Sequence, residues 1–283
     1  MHIVCTVDLN KPGVDALLAQ ETACRLATWV WERRNRFRQS NLSPLDAVAK
    51  AAQLAQRAIS TDDSDANRSS QGPVVLHEIS DNPGSGAPGN ATHLLRALIE
   101  AELPRSGFKA CFGYIWDPLV AAAAHAAGVG ARLKVSLGGH HAPEMCGFPI
   151  EEDADVISLS DGRWTLTAFT VGVEQDVGPM AGLRIRGVDV LVSSRQSQTL
   201  DTSPFILHGI DVRKYDLVAL KSAVHFRAGF RDIASTIVPV DAPGLSTTKT
   251  ETFARDHQTQ PLWGKDPDET VVYLPTSMAR AAL

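Results

Sequence analysis

Three stretches of this chain carry residue types that bind or activate small polar groups. The first is SDNPGSGAPGNATHLL, residues 80–95, in which Pro83, Gly84, Gly86 and Gly89 separate an apolar run from a helical pattern. Glycines there permit positive φ and close backbone approach, and a helix opening near Ala91 would offer N–H groups to a carboxylate, a phosphate or a carbonyl oxygen. The loop is no Walker motif, having no Gly-Lys-Ser/Thr, and its glycine spacing with Pro88 intruding is not that of a dinucleotide fingerprint. A tight turn that holds nothing remains an equal reading.

The second stretch places Lys221, His225 and Arg227 within seven residues just past another apolar run. An arginine there can clamp a carboxylate, and a histidine can move a proton or orient a substrate oxygen. Lys221 and His225 are the catalytic candidates. His225 ranks first because it lies between Val224 and Phe226, where burial without a role would be costly. The alternative is a set of solvated side chains at a helix entrance. The third stretch, Ser193-Ser194-Arg195-Gln196, follows a further apolar run and contributes Arg195 as a candidate for binding.

Other chemistry is weakly signalled. His140-His141 with Glu144 and Cys146 lacks metal-site spacing, and no HExxH occurs. No GxSxG elbow accompanies Ser193, Ser194 or Ser222, which leaves a serine hydrolase unsupported. Asp8, Asp81, Asp117 and Asp241 all follow apolar runs and suit turns or helix caps.

The elements that must position these residues follow from periodicity. VVLHEIS (74–80), KACFGYIW (109–116), VDVLVSS (188–194), YDLVALK (215–221) and STIVPVD (235–241) read as strands buried on both faces of a parallel sheet. Helices are predicted at 91–103, 117–128 and 226–234. Residues 131–187 interrupt the alternation with four strand-like runs and an Asp161-Gly162 hairpin signal. The expected fold is therefore α/β: an open, mostly parallel sheet with flanking helices and an antiparallel β insertion at about 131–187. Ligands of such sheets sit beyond the carboxyl ends of the strands, where all three stretches fall.

Ahead of the sheet, HIVCTVD (2–8) reads as a lone strand. A helix then carries Leu17, Leu26, Val30 and Phe37, with Arg33, Arg34, Arg36 and Arg38 near its end. Ser43-Pro44 announces a second helix running through Ala58. Residues 60–72 are polar and aperiodic, a linker. The expected division is 1–72, a strand and two helices with the linker; 73–245, the α/β domain; and 246–283, an irregular tail.

Bulk composition narrows the class. With 283 residues and 44% hydrophobic composition the chain can build a real core, and a net charge of −5 without a basic run gives no footprint for nucleic acid or an anionic membrane. No apolar stretch approaches about 18 residues, and the N-terminus lacks a secretory pattern, so a cytoplasmic location is expected. Cys5, Cys24, Cys111 and Cys146 are scattered and read as buried thiols.

Taken together, DNPGSGAPGNATHLLRALIE, IWDPLVAAAAHAAGVGA, LSDGRW, GPMAG, VDVLVSSRQSQTLD, GIDVRKYDLVALKSAVHFRAGF and VDAPG resemble, in order, the C-terminal region of the MlrC (microcystinase C) family of zinc metallopeptidases. The match runs from about Pro73 to Gly244. It implies a hydrolase that cleaves amide bonds of linear peptides. In that family the zinc-binding Asp and His residues belong to a longer N-terminal α/β domain, of which HIVCTVD looks like the last strand. None of the nine histidines here matches those ligands, so no metal residue is carried over and zinc is expected from outside this chain. Carried over as crevice-lining residues are Asp81, Asn82, Gly84, Gly86, Arg195, Lys221, His225 and Arg227. The expected partners are a peptide or small carboxylate-bearing substrate and a catalytic partner domain or second copy, the latter to cover apolar surface around Trp29 and Trp31. A non-catalytic module that keeps a carboxylate-binding crevice is the alternative.

Overall fold

The computed structural model describes residues 5–8, 11, 16–38, 40–60 and 72–254, and beyond them 256, 257, 261, 263, 264 and 266. The chain forms two compact units, one of Met1–Ser40 with Phe253–Leu283 and one of Asn41–Thr252. The linker residues 61–71 and most of the tail lie outside the described residues.

In the first unit, helix α1 (Ala16–Glu32) is followed by a single 3-10 turn, Arg34–Phe37. Two of the arginines predicted to suit its C-terminus cap it directly. Arg33 Nη1 donates to the Trp29 carbonyl at 3.2 Å and Arg34 Nη1 to the Trp31 carbonyl at 3.0 Å, each guanidinium also covering the corresponding indole ring. The strand expected over 2–8 is corrected: residues 5–8 are not in a strand, and 2–4 lie outside the described residues. Among the described residues no strand pairs with this segment, and a strand without a ladder leaves its backbone groups unmatched.

The second unit is built on an eight-stranded sheet in the order β10-β1-β9-β2-β8-β7-β4-β3. The strands are β1 (Val74–Glu78), β2 (Ala110–Trp116), β3 (Arg132–Leu137), β4 (Ile150–Ser160), β7 (Met180–Ile185), β8 (Val188–Ser193), β9 (Leu217–Lys221) and β10 (Thr236–Val240). From β10 to β8 every pairing is parallel, and from β8 to β3 every pairing is antiparallel. The fold is thus the expected mostly parallel α/β sheet, with residues 131–187 supplying the antiparallel extension.

The parallel strands alternate between two cores. Val74, Leu76, Phe112, Leu217 and Ala219 face one, which α2 (Pro44–Ser60), α3 (His93–Glu100) and α4 (Pro118–Ala127) cover. Val75, Cys111, Val218 and Leu220 face the other, with Phe205 of α6 (Ser203–Leu207) and Phe230 of α7 (Arg227–Phe230). Helix starts follow the caps read from sequence. Ser43 Oγ accepts from Asp46 N at 3.2 Å ahead of Pro44, and Asp117 Oδ1 accepts from Leu119 N and Val120 N ahead of Pro118. Helix α7 is a single turn rather than the nine residues expected, and within it Gly229 lies against Asp201 too closely for any side chain.

The Asp161-Gly162 turn does not close a hairpin between neighbours. β4 continues in the main sheet, whereas β5 (Arg163–Thr165) leaves to pair with β6 (Glu174–Asp176) as a separate two-stranded sheet. Gly162 adopts φ +71° with the Gly178 carbonyl against its Cα, so the signal that marks a hairpin here marks a change of sheet.

Around the antiparallel strands, His208 is held by two hydroxyls, Ser158 Oγ at 2.7 Å from Nδ1 and Ser160 Oγ at 2.9 Å from Nε2. Burial, and then the charge of His125, lowers His208 to about 4. A histidine kept neutral in the fold contributes stability that is complete above pH 6.5 and is lost as pH falls toward 4. Between pH 7 and 4.5 the protein is expected to lose about 2–3 kcal/mol through this residue. His208→Gln should flatten that part of the pH profile in urea denaturation, and an unchanged slope would refute the assignment.

Candidate functional site

Strands β1 and β9 run in parallel with Glu78 opposite Lys221, which brings a carboxylate and an ammonium together at the carboxyl ends of two central strands. Lys221 Nζ lies 2.7 Å from Glu78 Oε2 and 2.9 Å from Asp81 Oδ2, with all three side chains at 1% exposure or less. Burial works against the ammonium, but the Asp81 and Glu78 carboxylates outweigh it and hold Lys221 above the ordinary lysine range. Burial pushes the Glu78 carboxyl up; Lys221 offsets this only in part, and the charge of Asp81 adds to it.

Asp81 carries this charge cluster into the glycine loop. Its Oδ1 accepts from Gly89 N at 2.9 Å and its Oδ2 from Ala91 N at 2.6 Å, so the loop's far end is tied to its beginning. Inside that closure Asn82 organises the turn. Its Oδ1 accepts from Gly84 N, its carbonyl from Ser85 N and Ala87 N, and the Pro83 carbonyl accepts from Gly86 N, where φ is +89°. The amides of Gly84, Ser85, Gly86, Ala87, Gly89 and Ala91 are therefore all donating within the protein. These N–H groups of the loop are not free to cradle an anion.

Beyond the loop an open cleft of about 370 Å³ separates Gly84 and Gly86 from Gln196, Ser197 and Gln198, with Gln175 of β6 also lining it. Gln198 is the hub. Its carboxamide lies against the Gly84 Cα so closely that a side chain there would displace it. Nε2 donates to His225 Nδ1 at 3.0 Å, and Oε1 accepts from Ser222 Oγ at 3.4 Å. This places the proton of neutral His225 on Nε2.

The structure disperses the candidates read from sequence. Asp81 and Lys221 are sealed in the interior and Asn82 is buried beneath the loop, while Gly84 and Gly86 line the cleft. His225 is exposed, not buried as its apolar neighbours suggested, since Val224 itself is 63% exposed; its ring stacks on Phe169 at 4.3 Å. Arg195 pairs with Asp176 at 2.7 Å, and Arg227 lies partly buried over the Phe226 ring at 5.4 Å.

Sequence reading missed Glu78, the three glutamines and His77. His77 interrupts the apolar run of β1, and that interruption was the available signal. Its Nδ1 lies 3.2 Å from the Ser222 carbonyl, and its ring lies 4.7 Å from Phe226. Because a carbonyl only accepts, Nδ1 carries the proton, leaving Nε2 buried without a hydrogen-bond partner. Burial lowers its pKa to about 4.

The family model described as MlrC C-terminus matches residues 76–257, the span that contains the charge cluster, the loop and the cleft. The chain belongs to the MlrC C-terminus family. It is 29% identical over 195 residues to microcystinase C from Sphingomonas sp, which covers 69% of this chain and 36% of that protein. Its fold is similar to a crystal structure described as "Putative metallopeptidase" from Mesorhizobium sp. BNC1, with a TM-score of 0.69 and 24% identity over 88% of this chain and 46% of that one. The chain thus spans less than half the length of either relative.

The metal that the MlrC resemblance implies does not fit the residues described here. Among the described residues no group of three or more His, Cys, Asp and Glu side chains is arranged to hold an ion. The two acids that converge, Glu78 and Asp81, already share the Lys221 ammonium. The His140-His141 stretch diverges: His140 Nε2 bonds the Ser136 carbonyl and His141 Nδ1 the Asn90 amide. Burial, and then the Asp81 charge, pushes the Cys146 thiol up to about 11, whereas a metal ligand must be the thiolate.

Removing one partner of a buried ion cluster leaves the others uncompensated. Lys221→Met is expected to cost about 3–5 kcal/mol in urea denaturation, while Arg195→Met, at the exposed pair with Asp176, should cost under about 1 kcal/mol. Similar losses in both variants would show that the buried cluster does not anchor the loop.

Proposed function

We propose that this chain serves as the substrate-holding region of an MlrC-type hydrolase that acts on amide bonds of linear peptides. The observation that carries the reading is the cleft at the carboxyl ends of the strands, walled by a glycine loop that the Lys221 cluster locks in place. In this reading Lys221 is a positioning residue acting through Asp81, and His225 is the residue at the substrate. Gln198 directs the His225 Nε2–H away from itself, where it can donate to a carbonyl oxygen of a bound peptide. Arg195 and Arg227 border the site without lining it. Metal chemistry comes from a partner domain or subunit.

Zinc, when bound by such a partner, would polarise the scissile carbonyl. A binding module without hydrolysis is the second reading, favoured by the ammonium that stands between the buried acids Glu78 and Asp81.

The two readings share a first test. The purified chain, supplied with zinc, is expected to bind linear peptides and leave them uncut by mass spectrometry. His225→Ala should weaken that binding by about fivefold with an unchanged melting temperature, because the ring is exposed and its bond to Gln198 is a surface one. Cleavage by the chain alone with one bound zinc would overturn the partner requirement. Unchanged binding in His225→Ala would remove His225 from the proposed binding site.

A further inference from the structure

We infer that the cleft selects an uncharged, amide-bearing segment of its ligand and rejects a carboxylate. The inference rests on the substrate-holding role proposed above and specifies what that site recognises.

Every side chain lining the cleft is neutral. Pro83, Ala87 and Leu200 give it apolar surface, and Gln175, Gln196 and Ser197 its polar groups. Among the described residues neither Gln175 nor Gln196 has a hydrogen-bond partner for its carboxamide. Each therefore presents one acceptor and a two-proton donor, the complement of a peptide amide or a primary carboxamide.

Of the cations expected to attract an anion, Lys221 and Arg195 are paired with carboxylates, and Arg227 lies over the Phe226 ring outside the lining of the cleft. Lys221 is sealed between Glu78 and Asp81, so its ammonium is already paired within the protein. Arg195, adjacent to Gln196, is held at 2.7 Å by Asp176, which is itself adjacent to Gln175 and also binds Arg163 at 3.3 Å. The remaining anion-binding device, free backbone amides of the glycine loop, is absent, since Gly84, Gly86 and Ala87 donate to Asn82 and Pro83. A carboxylate entering this cleft would lose water without meeting a cationic side chain in its lining. A neutral amide would exchange its water hydrogen bonds for equivalent ones to two glutamines.

Two probes of equal backbone separate these cases: N-acetylglycylglycine N-methylamide, which is uncharged, and N-acetylglycylglycine with its free carboxylate. The full chain is titrated with each while the side-chain amide resonances of Gln175 and Gln196 are followed by NMR. The capped probe is expected to shift those resonances and to bind at least about fivefold tighter, with an affinity unchanged between about 50 and 500 mM salt. Gln196→Lys, an exposed substitution whose folding is checked by melting temperature, should reverse the preference toward the carboxylate form.

Tighter binding of the carboxylate probe to the unsubstituted chain, weakening with salt, would overturn the inference. So would a failure of both probes to shift either glutamine, or a Gln196→Lys variant with unaltered preference. None of these readouts requires turnover. If the capped probe binds as expected while no peptide is ever cut in the presence of a metal-bearing partner, the hydrolase reading fails and this inference stands. If cleavage occurs and the carboxylate probe wins, this inference alone fails.

Discussion

The buried ammonium of Lys221 between Glu78 and Asp81 is the interaction on which the candidate site depends. It joins the ends of two adjacent parallel strands and, through Asp81, fixes both the start and the finish of the glycine loop. Three charges at this depth are costly to dehydrate, and replacing such a cluster by apolar residues is often neutral or favourable for stability alone. What apolar side chains cannot do is donate to a carboxylate that must simultaneously hold two backbone N–H groups. Here the charge sets loop geometry, and the stability of the sheet rests on the two apolar cores around it.

Two buried histidines show how an imidazole is kept neutral. His77 and His208 are both buried, and in both burial is the leading cause of a pKa near 4. Their neighbours differ. Two serine hydroxyls meet both nitrogens of His208, whereas His77 donates through Nδ1 and leaves Nε2 unmatched beside Phe226. A buried lone pair of this kind costs on the order of 1–3 kcal/mol, so the position is held by the surrounding packing and not by its own bonds.

Much of the fold was legible because its parallel strands are buried on both faces and so read as apolar runs, and because Ser43, Pro44, Asp117 and Pro118 announce helix starts by side-chain chemistry. What failed was local context. Asp161-Gly162 looks like a hairpin wherever it occurs, and only the pairing of β4 with β7 shows that the chain is leaving the sheet. Val224 and Phe226 suggested a buried His225, but the turn ahead of α7 sends Phe226 inward and Val224 outward. The charges were visible and their compensation was not. Nothing in the spacing of Glu78, Asp81 and Lys221 along the chain reveals that the fold returns Lys221, 140 positions on, to within 2.9 Å of Asp81.

That compensation changes what a basic residue at a strand end signifies. Read from sequence, Lys221, Arg195 and Arg227 near a glycine loop suggest a ligand of opposite charge. In the folded molecule Lys221 and Arg195 serve internal carboxylates, Arg227 covers an aromatic ring, and the loop's donors serve internal carbonyls and the side chains of Asp81 and Asn82. A group that already has a close partner contributes little further attraction to a third charge, because the incoming anion meets the partner's repulsion at a similar distance. The polar capacity left over belongs to carboxamides, whose recognition is directional and independent of charge. A site of this kind sorts ligands by where they place donors and acceptors, and it holds its shape because the charges behind it are already satisfied.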